Sequence, residues 1–298
     1  MPSYVVFALL AYLLLALHGV VDKFLLNSAI RRPIAYTFYS GTTTIFVLLL
    51  APFGLQMLSL ANIIVSFIVG GSFLFATYYL YAAIQKSSVS RILPIQGGLV
   101  PIFTYLFSYV MLGDTLNITQ TYAFALLCLG SILLALKNDD IGRWRIPAFK
   151  EALSAAILFA LSLVLSKYIF NVSNLVTGLV WSRVGMFAFA MSFLLFRANR
   201  EAIFKTPHEA GKKNALLFYF VRLIGALAGL LQNYAISIGS VVIVNALQGF
   251  QFAFILILTS WLSIYFPRVL KETMTKKILM LKIAAIILIA SGLLLLGI

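Results

Sequence analysis

The sequence is short of charged residues, and acidic residues are the scarcest. Only 10% of its 298 residues are charged, with 8 Asp and Glu against 22 Lys and Arg. A soluble domain usually carries about a quarter of its residues as charges, so this composition excludes a soluble enzyme. Because 62% of the residues are hydrophobic, a disordered chain is excluded too. The single cysteine, Cys128, cannot form an internal disulfide or build a zinc site by itself.

Long hydrophobic runs fill most of the chain instead. A helix that spans a bilayer needs about 20 mostly apolar residues, and the sequence contains ten such runs. We therefore predict an all-α integral membrane protein with ten transmembrane helices. The predicted spans are Ser3–Val21, Ala35–Ala51, Leu60–Ile84, Ser90–Leu112, Ile118–Lys137, Phe149–Phe170, Leu175–Phe196, Ala215–Ser237, Ser240–Leu262 and Ile278–Gly297.

Basic residues gather in every second connection between these spans, with Lys167 alone on the opposite side. The positive-inside rule predicts that the basic connections are cytoplasmic and that both termini are outside. The longest connections, Asn138–Ala148 and Arg197–Asn214, are too short for a soluble domain, which favours a bacterial inner membrane. The cations act as topology signals, so we expect no nucleic-acid partner.

The two halves of the chain resemble each other weakly. Since each half holds five spans, the second copy enters from the opposite side, and we predict two inverted five-helix repeats, as in many secondary transporters. The repeats would cover residues 1–137 and 149–298, joined by a loop at 138–148. Chance similarity between apolar segments is the alternative. The matching segments are Tyr81-Ala82 with Tyr234-Ala235, Ile95-Gln96-Gly97 with Leu247-Gln248-Gly249, and Asp22-Lys23-Phe24 with Ser166-Lys167-Tyr168.

Several short motifs follow one another in the first half, and they carry a family resemblance. They are Tyr81-Ala82-Ala83-Ile84, Pro101, Leu112-Gly113-Asp114-Thr115, Gln120 and Leu129-Gly130. In this order they resemble the EamA-type repeat of the drug/metabolite transporter (DMT) superfamily. The second half departs from the pattern, with Lys271-Glu272-Thr273 at the turn and Ala253 in place of the proline. The resemblance implies a ten-helix bundle around a central cavity, and it implies transport without fixing the substrate.

Spans four and nine carry helix-breaking and amide residues at similar depths. Two prolines and two glycines close together should kink or unwind a helix, and interrupted spans mark binding sites in transporters. We expect Gln96 and Gln248 to face each other across the cavity and to bind substrate, with interhelical hydrogen bonding as the alternative. The residues of this set are Pro94, Gly97, Gly98 and Pro101 in span four, and Asn245 and Gly249 in span nine.

Two arginines lie inside predicted spans, where a charge is a functional hypothesis by default. At 1.5 Å per residue, Arg183 lies about 12 Å and Arg222 about 10 Å from the nearer end of its span. We predict that both bind substrate, with snorkelling to the interface as the alternative. Tyr78 and Tyr81 share one helical face and suit a cavity wall, whereas Tyr36 fits an aromatic belt at the membrane interface.

Asp22 is the one acidic residue expected inside the membrane, in the last turn of span one. His18 lies four residues earlier, on the same helical face. Because histidine titrates near neutral pH, the pair is a candidate site for proton coupling. In the alternative reading, Asp22 neutralises a nearby Arg or Lys and His18 is a packing residue.

These groups give the predicted cavity more cations than acids, which favours a solute with a carboxylate or phosphate. We expect a secondary transporter, an exporter or exchanger of small organic metabolites such as amino acids, that works by alternating access. The alternatives are a membrane-embedded lipid or acyl transferase, a multidrug cation exporter of the same family, and a structural or signalling subunit.

Catalytic sequence patterns are absent: there is no Walker A segment, HExxH or Gly-x-Ser-x-Gly. We therefore expect no catalytic residue, no metal and no cofactor. The expected partners are a small-molecule substrate and the lipid bilayer, and the chain would be a monomer or a homodimer.

Overall fold

The computed structural model describes residues 2–28, 32–87, 89–135, 148–255 and 276–296. All regular structure in these ranges is helical, which confirms the predicted all-α fold for this part of the chain. The helices are α1 (Ser3–Ser28), α2 (Pro33–Thr42), α3 (Leu60–Lys86), α4 (Val89–Leu112), α5 (Ile118–Ala135), α6 (Phe149–Val172), α7 (Leu175–Ser192), α8 (Arg197–Ile238), α9 (Val241–Ala246), α10 (248–255) and α11 (Lys276–Leu295).

Seven of the described helices are long and apolar enough to cross a membrane, so the chain is a membrane-embedded protein. They are Ser3–Asp22, Pro33–Phe53, Leu60–Lys86, Ile95–Leu112, Phe149–Val172, Leu175–Leu195 and Asn214–Ile238. Shorter apolar helices at Ile118–Leu134, Val241–Ile255 and Met280–Leu295 lie within predicted spans five, nine and ten. Parts of those three spans, and most of the predicted loop 138–148, lie outside the described residues.

Two segments are helical where the sequence predicted connections. Helix α1 continues to Ser28, so Asp22 lies well inside a helix rather than in its last turn. The predicted connection Arg197–Asn214 is helical as well, and it joins the rest of α8 at Gly211, whose φ of 75° and ψ of 159° interrupt the helix. Glycine adopts that conformation without a side-chain clash. Ile203 is fully buried, which anchors this charged segment to the bundle.

Helix α2 tightens into a 3₁₀ helix over Thr43–Phe53. At the junction, the hydroxyls of Thr42, Thr43 and Thr44 donate to the carbonyls three residues earlier, at 3.1, 2.9 and 2.6 Å. Side-chain hydrogen bonds of this kind compete with the regular α-helical pattern. The threonine run thus explains why the helix changes its winding there.

Two antiparallel helix pairs make extensive contacts within the bundle. Helix α1 lies along α8, with the Tyr12 hydroxyl accepting a hydrogen bond from Gln232 Nε2 at 3.3 Å. Helix α3 lies along α6, with the Ser162 hydroxyl donating to the Val69 carbonyl at 3.0 Å. Each pair therefore combines one helix from the first part of the chain with one from the second.

Helices α3 and α7 cross with their backbones in contact. At Gly70, a Cβ atom would overlap the Ser182 carbonyl oxygen and the Met186 backbone nitrogen. At Gly185, on the facing helix, it would lie 2.7 Å from the Phe67 Cα. Close backbone approach through small residues is the usual way in which helices associate in a membrane.

Gly70→Ala should lower the free energy of unfolding by about 1–3 kcal/mol, because the added methyl must push α3 away from α7. Gly229→Ala is the matched control, since nothing lies within 4 Å of a Cβ there and alanine favours a helix by up to about 1 kcal/mol. Thermal unfolding of the purified variants in detergent measures both. Equal stability of the two variants would contradict the described crossing.

Candidate functional site

A buried carboxylate on α1 lies at the centre of a polar cluster that joins four helices. Asp22 is only 6% exposed. It accepts hydrogen bonds from the Tyr36 hydroxyl on α2 at 2.6 Å and from the Tyr81 hydroxyl on α3 at 3.3 Å, and it forms an ion pair with Arg222 on α8. We call this group the Asp22 cluster, and its members are His18, Asp22, Tyr36, Ser40, Tyr81 and Arg222.

The Arg222 guanidinium is held on several sides. Its Nη1 donates to the Ser40 hydroxyl at 3.2 Å and to the Tyr81 hydroxyl at 3.4 Å, and its Nη2 also donates to the Tyr36 hydroxyl at 3.2 Å. The Arg222 Cζ atom lies 5.2 Å from the ring centres of Tyr36 and Phe218, within the range of a cation–π interaction. Of the three guanidinium nitrogens, only Nε is buried without a hydrogen-bond partner among the described residues.

His18 takes the position that its spacing predicted. Its Nδ1 lies 3.5 Å from Asp22 Oδ2, and its ring packs against Gly225, where a Cβ would lie 2.7 Å from the ring. Asp22 also has the arginine partner that the alternative reading required. The geometry therefore combines both readings, and a proton-coupling role for His18 and Asp22 stays a prediction.

Arg183 lies elsewhere, on α7, without such neutralisation. Its Cζ atom lies 4.7 Å from the centre of the Phe73 ring on α3, and its Nη1 contacts the Met186 sulfur at 3.6 Å. The Phe73 ring meets the Phe159 ring of α6 at 5.2 Å. Among the described residues, no carboxylate lies within ion-pair distance of Arg183. A cation deep in a membrane span is costly, and neither neighbour balances its charge.

The amides of spans four and nine leave acceptor oxygens unused. Gln96 Nε2 donates to the Ala152 carbonyl on α6 at 2.6 Å, and Asn245 donates to the carbonyl of Val241 within its own helix. No hydrogen bond joins Gln96 to Gln248 in the described structure. The Oε1 atoms of Gln96, Gln248 and Gln251 are buried without a partner there.

The predicted interruption of span four is wrong, because α4 is helical through Pro94, Gly97, Gly98 and Pro101. Neighbouring helices can satisfy backbone groups freed by proline in a membrane. The two glycines instead admit neighbouring side chains: Phe252 packs where Gly97 would carry a Cβ, and Ile132 packs where Gly98 would carry one.

Span nine is interrupted next to Gly249, by a turn at Leu247. The Phe250 amide bonds the Leu247 carbonyl three residues earlier at 3.0 Å. Gly249 itself permits close packing on α5, since a Cβ there would lie 2.7 Å from the Ser131 hydroxyl oxygen. Within the described residues, span nine is therefore interrupted at this position and span four is not.

Tyrosine positions divide between the cluster and its surroundings. Tyr81 is 5% exposed and belongs to the Asp22 cluster, whereas Tyr78 is half-buried and contacts the Tyr79 ring at 5.5 Å. Tyr36 is fully buried in the bundle, so it does not face lipid as a residue of an aromatic belt would. Sequence reasoning missed Ser40 in the cluster and Phe73 beneath Arg183.

Arg222→Gln should lower the free energy of unfolding by about 3–5 kcal/mol, because it leaves the buried Asp22 carboxylate without its cation. The double variant Asp22→Asn/Arg222→Gln should lose less than the sum of the two single variants, by about 0.5–3 kcal/mol. Unfolding in detergent of the four proteins measures this coupling.

The exposed Arg197–Glu201 pair, with a 3.3 Å separation, provides the matched control. Glu201→Gln should cost less than about 1 kcal/mol, because water screens such a pair. Additive effects of Asp22→Asn and Arg222→Gln would contradict the described ion pair.

The chain shares its fold with solved structures, although its sequence identifies no relative. No family model matches it, and no curated protein does. One crystal structure, described only as that of a protein, is similar with a TM-score of 0.68 at 15% sequence identity. The match covers 99% of this chain and 98% of the other. It shows a common fold and carries no information on function.

Proposed function

We propose that the chain is a secondary transporter of small metabolites that carry a carboxylate, including zwitterions such as amino acids. One observation carries the proposal: Arg183 lies deep in α7, where its guanidinium contacts an aromatic ring and a sulfur atom and pairs with no carboxylate of the described residues. A guanidinium binds a carboxylate through two parallel hydrogen bonds. A solute carboxylate would supply the counter-charge that the described residues do not provide.

The acidic residues favour an anionic solute over an organic cation. A site for organic cations needs a carboxylate that is free to receive them. Asp22 already accepts hydrogen bonds from Arg222, Tyr36 and Tyr81. A multidrug cation exporter therefore has less support than a transporter of carboxylates.

A lipid or acyl transferase also has less support. Such an enzyme needs an acid–base pair that reaches lipid head groups. His18 and Asp22 are the candidates, but Asp22 is enclosed by donors from three other helices. We therefore assign no catalytic role to this pair.

The helix pairs support a proposed architecture of ten spans in two inverted repeats of the EamA type. In that arrangement α1 corresponds to α6, and α3 corresponds to α8. Symmetry then requires that the pairing of α1 with α8 be matched by a pairing of α6 with α3, and both pairings occur. The proposed alternating access would move the helices of one repeat against those of the other.

Arg183→Gln should abolish exchange of carboxylate-bearing solutes or raise the half-saturating concentration at least about tenfold, which corresponds to about 1.4 kcal/mol. The measurement is counterflow in proteoliposomes with amino acids, organic anions and organic cations. Arg183→Lys keeps the charge but loses the bidentate geometry, so it should retain only part of the exchange.

Arg200→Gln is the control, because it removes an exposed cation outside the predicted spans. It should leave exchange unchanged. Exchange of organic cations that is indifferent to Arg183→Gln would overturn the proposal and leave Arg183 a structural residue.

The proposed orientation places the basic connections in the cytoplasm of a bacterial cell and both termini outside. Thr115→Cys in the loop before α5 should then react with a membrane-impermeant maleimide on intact cells. Lys150→Cys at the start of α6 should react only after permeabilisation. Both positions are exposed, whereas the native Cys128 is buried and serves as the background. The opposite labelling pattern would reverse the orientation.

A further inference from the structure

Two tyrosine hydroxyls and a guanidinium around Asp22 form a receptor for a carboxylate, and all three groups come from helices other than α1. The hydroxyls of Tyr36 on α2 and Tyr81 on α3 donate to the carboxylate, and Arg222 on α8 supplies the cation. Asp22 enters this receptor from the fourth helix. The receptor and its occupant therefore belong to different helices, as a binding site and a ligand do.

The side chains of the receptor are held in place by contacts with one another, apart from their contacts with Asp22. The Tyr36 and Tyr81 rings meet edge to face with centres 4.6 Å apart, and Tyr36 meets Phe218 at 5.1 Å. Arg222 packs on the Tyr36 and Phe218 rings and is also fixed by Ser40. Donors that are already fixed bind an anion without a further ordering cost.

The receptor also has donor capacity that Asp22 does not use. Arg222 Nε is buried without a partner in the part of the chain that the structure describes. Nη1 donates only to the neutral hydroxyls of Ser40 and Tyr81. A free carboxylate, which is not tied to α1, could approach the guanidinium edge to edge and use a second nitrogen.

We propose that this receptor is a second carboxylate site, for which a solute carboxylate competes with Asp22. The inference rests on the proposed function, since it requires that the transported solute be an anion. When the solute carboxylate binds Arg222, Asp22 leaves together with His18, which lies on the same helix 3.5 Å away. Helix α1 thereby loses the polar contacts that Asp22 makes with α2, α3 and α8. Solute binding and movement of α1 are linked by this exchange of anions.

Asp22→Ala removes the occupant and leaves the receptor empty, and sodium formate is the probe. The thermal unfolding temperature (Tm) of the full chain in neutral detergent should be lower for this variant than for the parent protein. Formate should raise the Tm of the variant, with saturation, by about half or more of its difference from the parent, because a ligand that binds only the folded state stabilises it. Sodium chloride at equal ionic strength should not.

Matched variants separate the receptor from other effects of formate. The parent protein should not respond to formate, because its own carboxylate fills the site. Asp22→Asn should not respond either, because the asparagine amide fills the site. Asp22→Ala/Arg222→Gln should not respond either, because it lacks the cation. If Asp22→Ala alone cannot be purified, it should become recoverable in buffers that contain formate, and Asp22→Ser repeats the comparison.

Two results would overturn the proposal. The first is no response of Asp22→Ala and Asp22→Ser to formate. The second is a rise in Tm with formate in the parent protein or in Asp22→Ala/Arg222→Gln that is as large as the rise in Asp22→Ala. Asp22→Ala/Arg183→Gln separates this proposal from the proposed function, because it should keep the formate response. Exchange of organic cations that is indifferent to Arg183→Gln would refute the transport proposal, whereas a formate response of Asp22→Ala would still show the receptor.

Discussion

The ion pair between Asp22 and Arg222 is the interaction on which the junction of α1, α2, α3 and α8 depends. A charge without a partner cannot remain in an apolar interior without a large cost in free energy. The pair therefore fixes α1 against α8, and the hydroxyls of Tyr36 and Tyr81 bring α2 and α3 to the same point. Four helices meet there because each contributes a polar group that needs the others.

The two intramembrane arginines meet the same constraint in different ways. Arg222 has a carboxylate, three hydroxyl partners and two aromatic rings. Arg183 has one ring and one sulfur. If both arginines had only a structural role, an unpaired charge at Arg183 would cost free energy without a compensating benefit. The contrast is the physical basis for proposing solute binding at Arg183 and anion exchange at Arg222.

Hydrophobic run length was enough to predict the helical, membrane-embedded fold and most helix positions, because the bilayer sets the length of a spanning helix. The contact between His18 and Asp22 could also be predicted, since it depends only on helical spacing. Pairing of Asp22 with Arg222 could not be predicted from spacing. It depends on which helices are neighbours, although matched depth and opposite charge were a usable signal. The prolines and glycines of span four predicted an interruption that the structure does not have. Local propensity does not include the neighbouring helices that keep α4 helical.

The antiparallel pairing of α1 with α8 has a consequence for biosynthesis. Asp22 and Arg222 are 200 residues apart in the chain. At about 5–20 residues per second, a ribosome needs about 10–40 s to make the arginine after the aspartate. During that interval α1 must be held at the insertion machinery, or rest in the bilayer with its carboxylate neutral. The ion pair between α1 and α8 can form only after this interval, when both helices have been made.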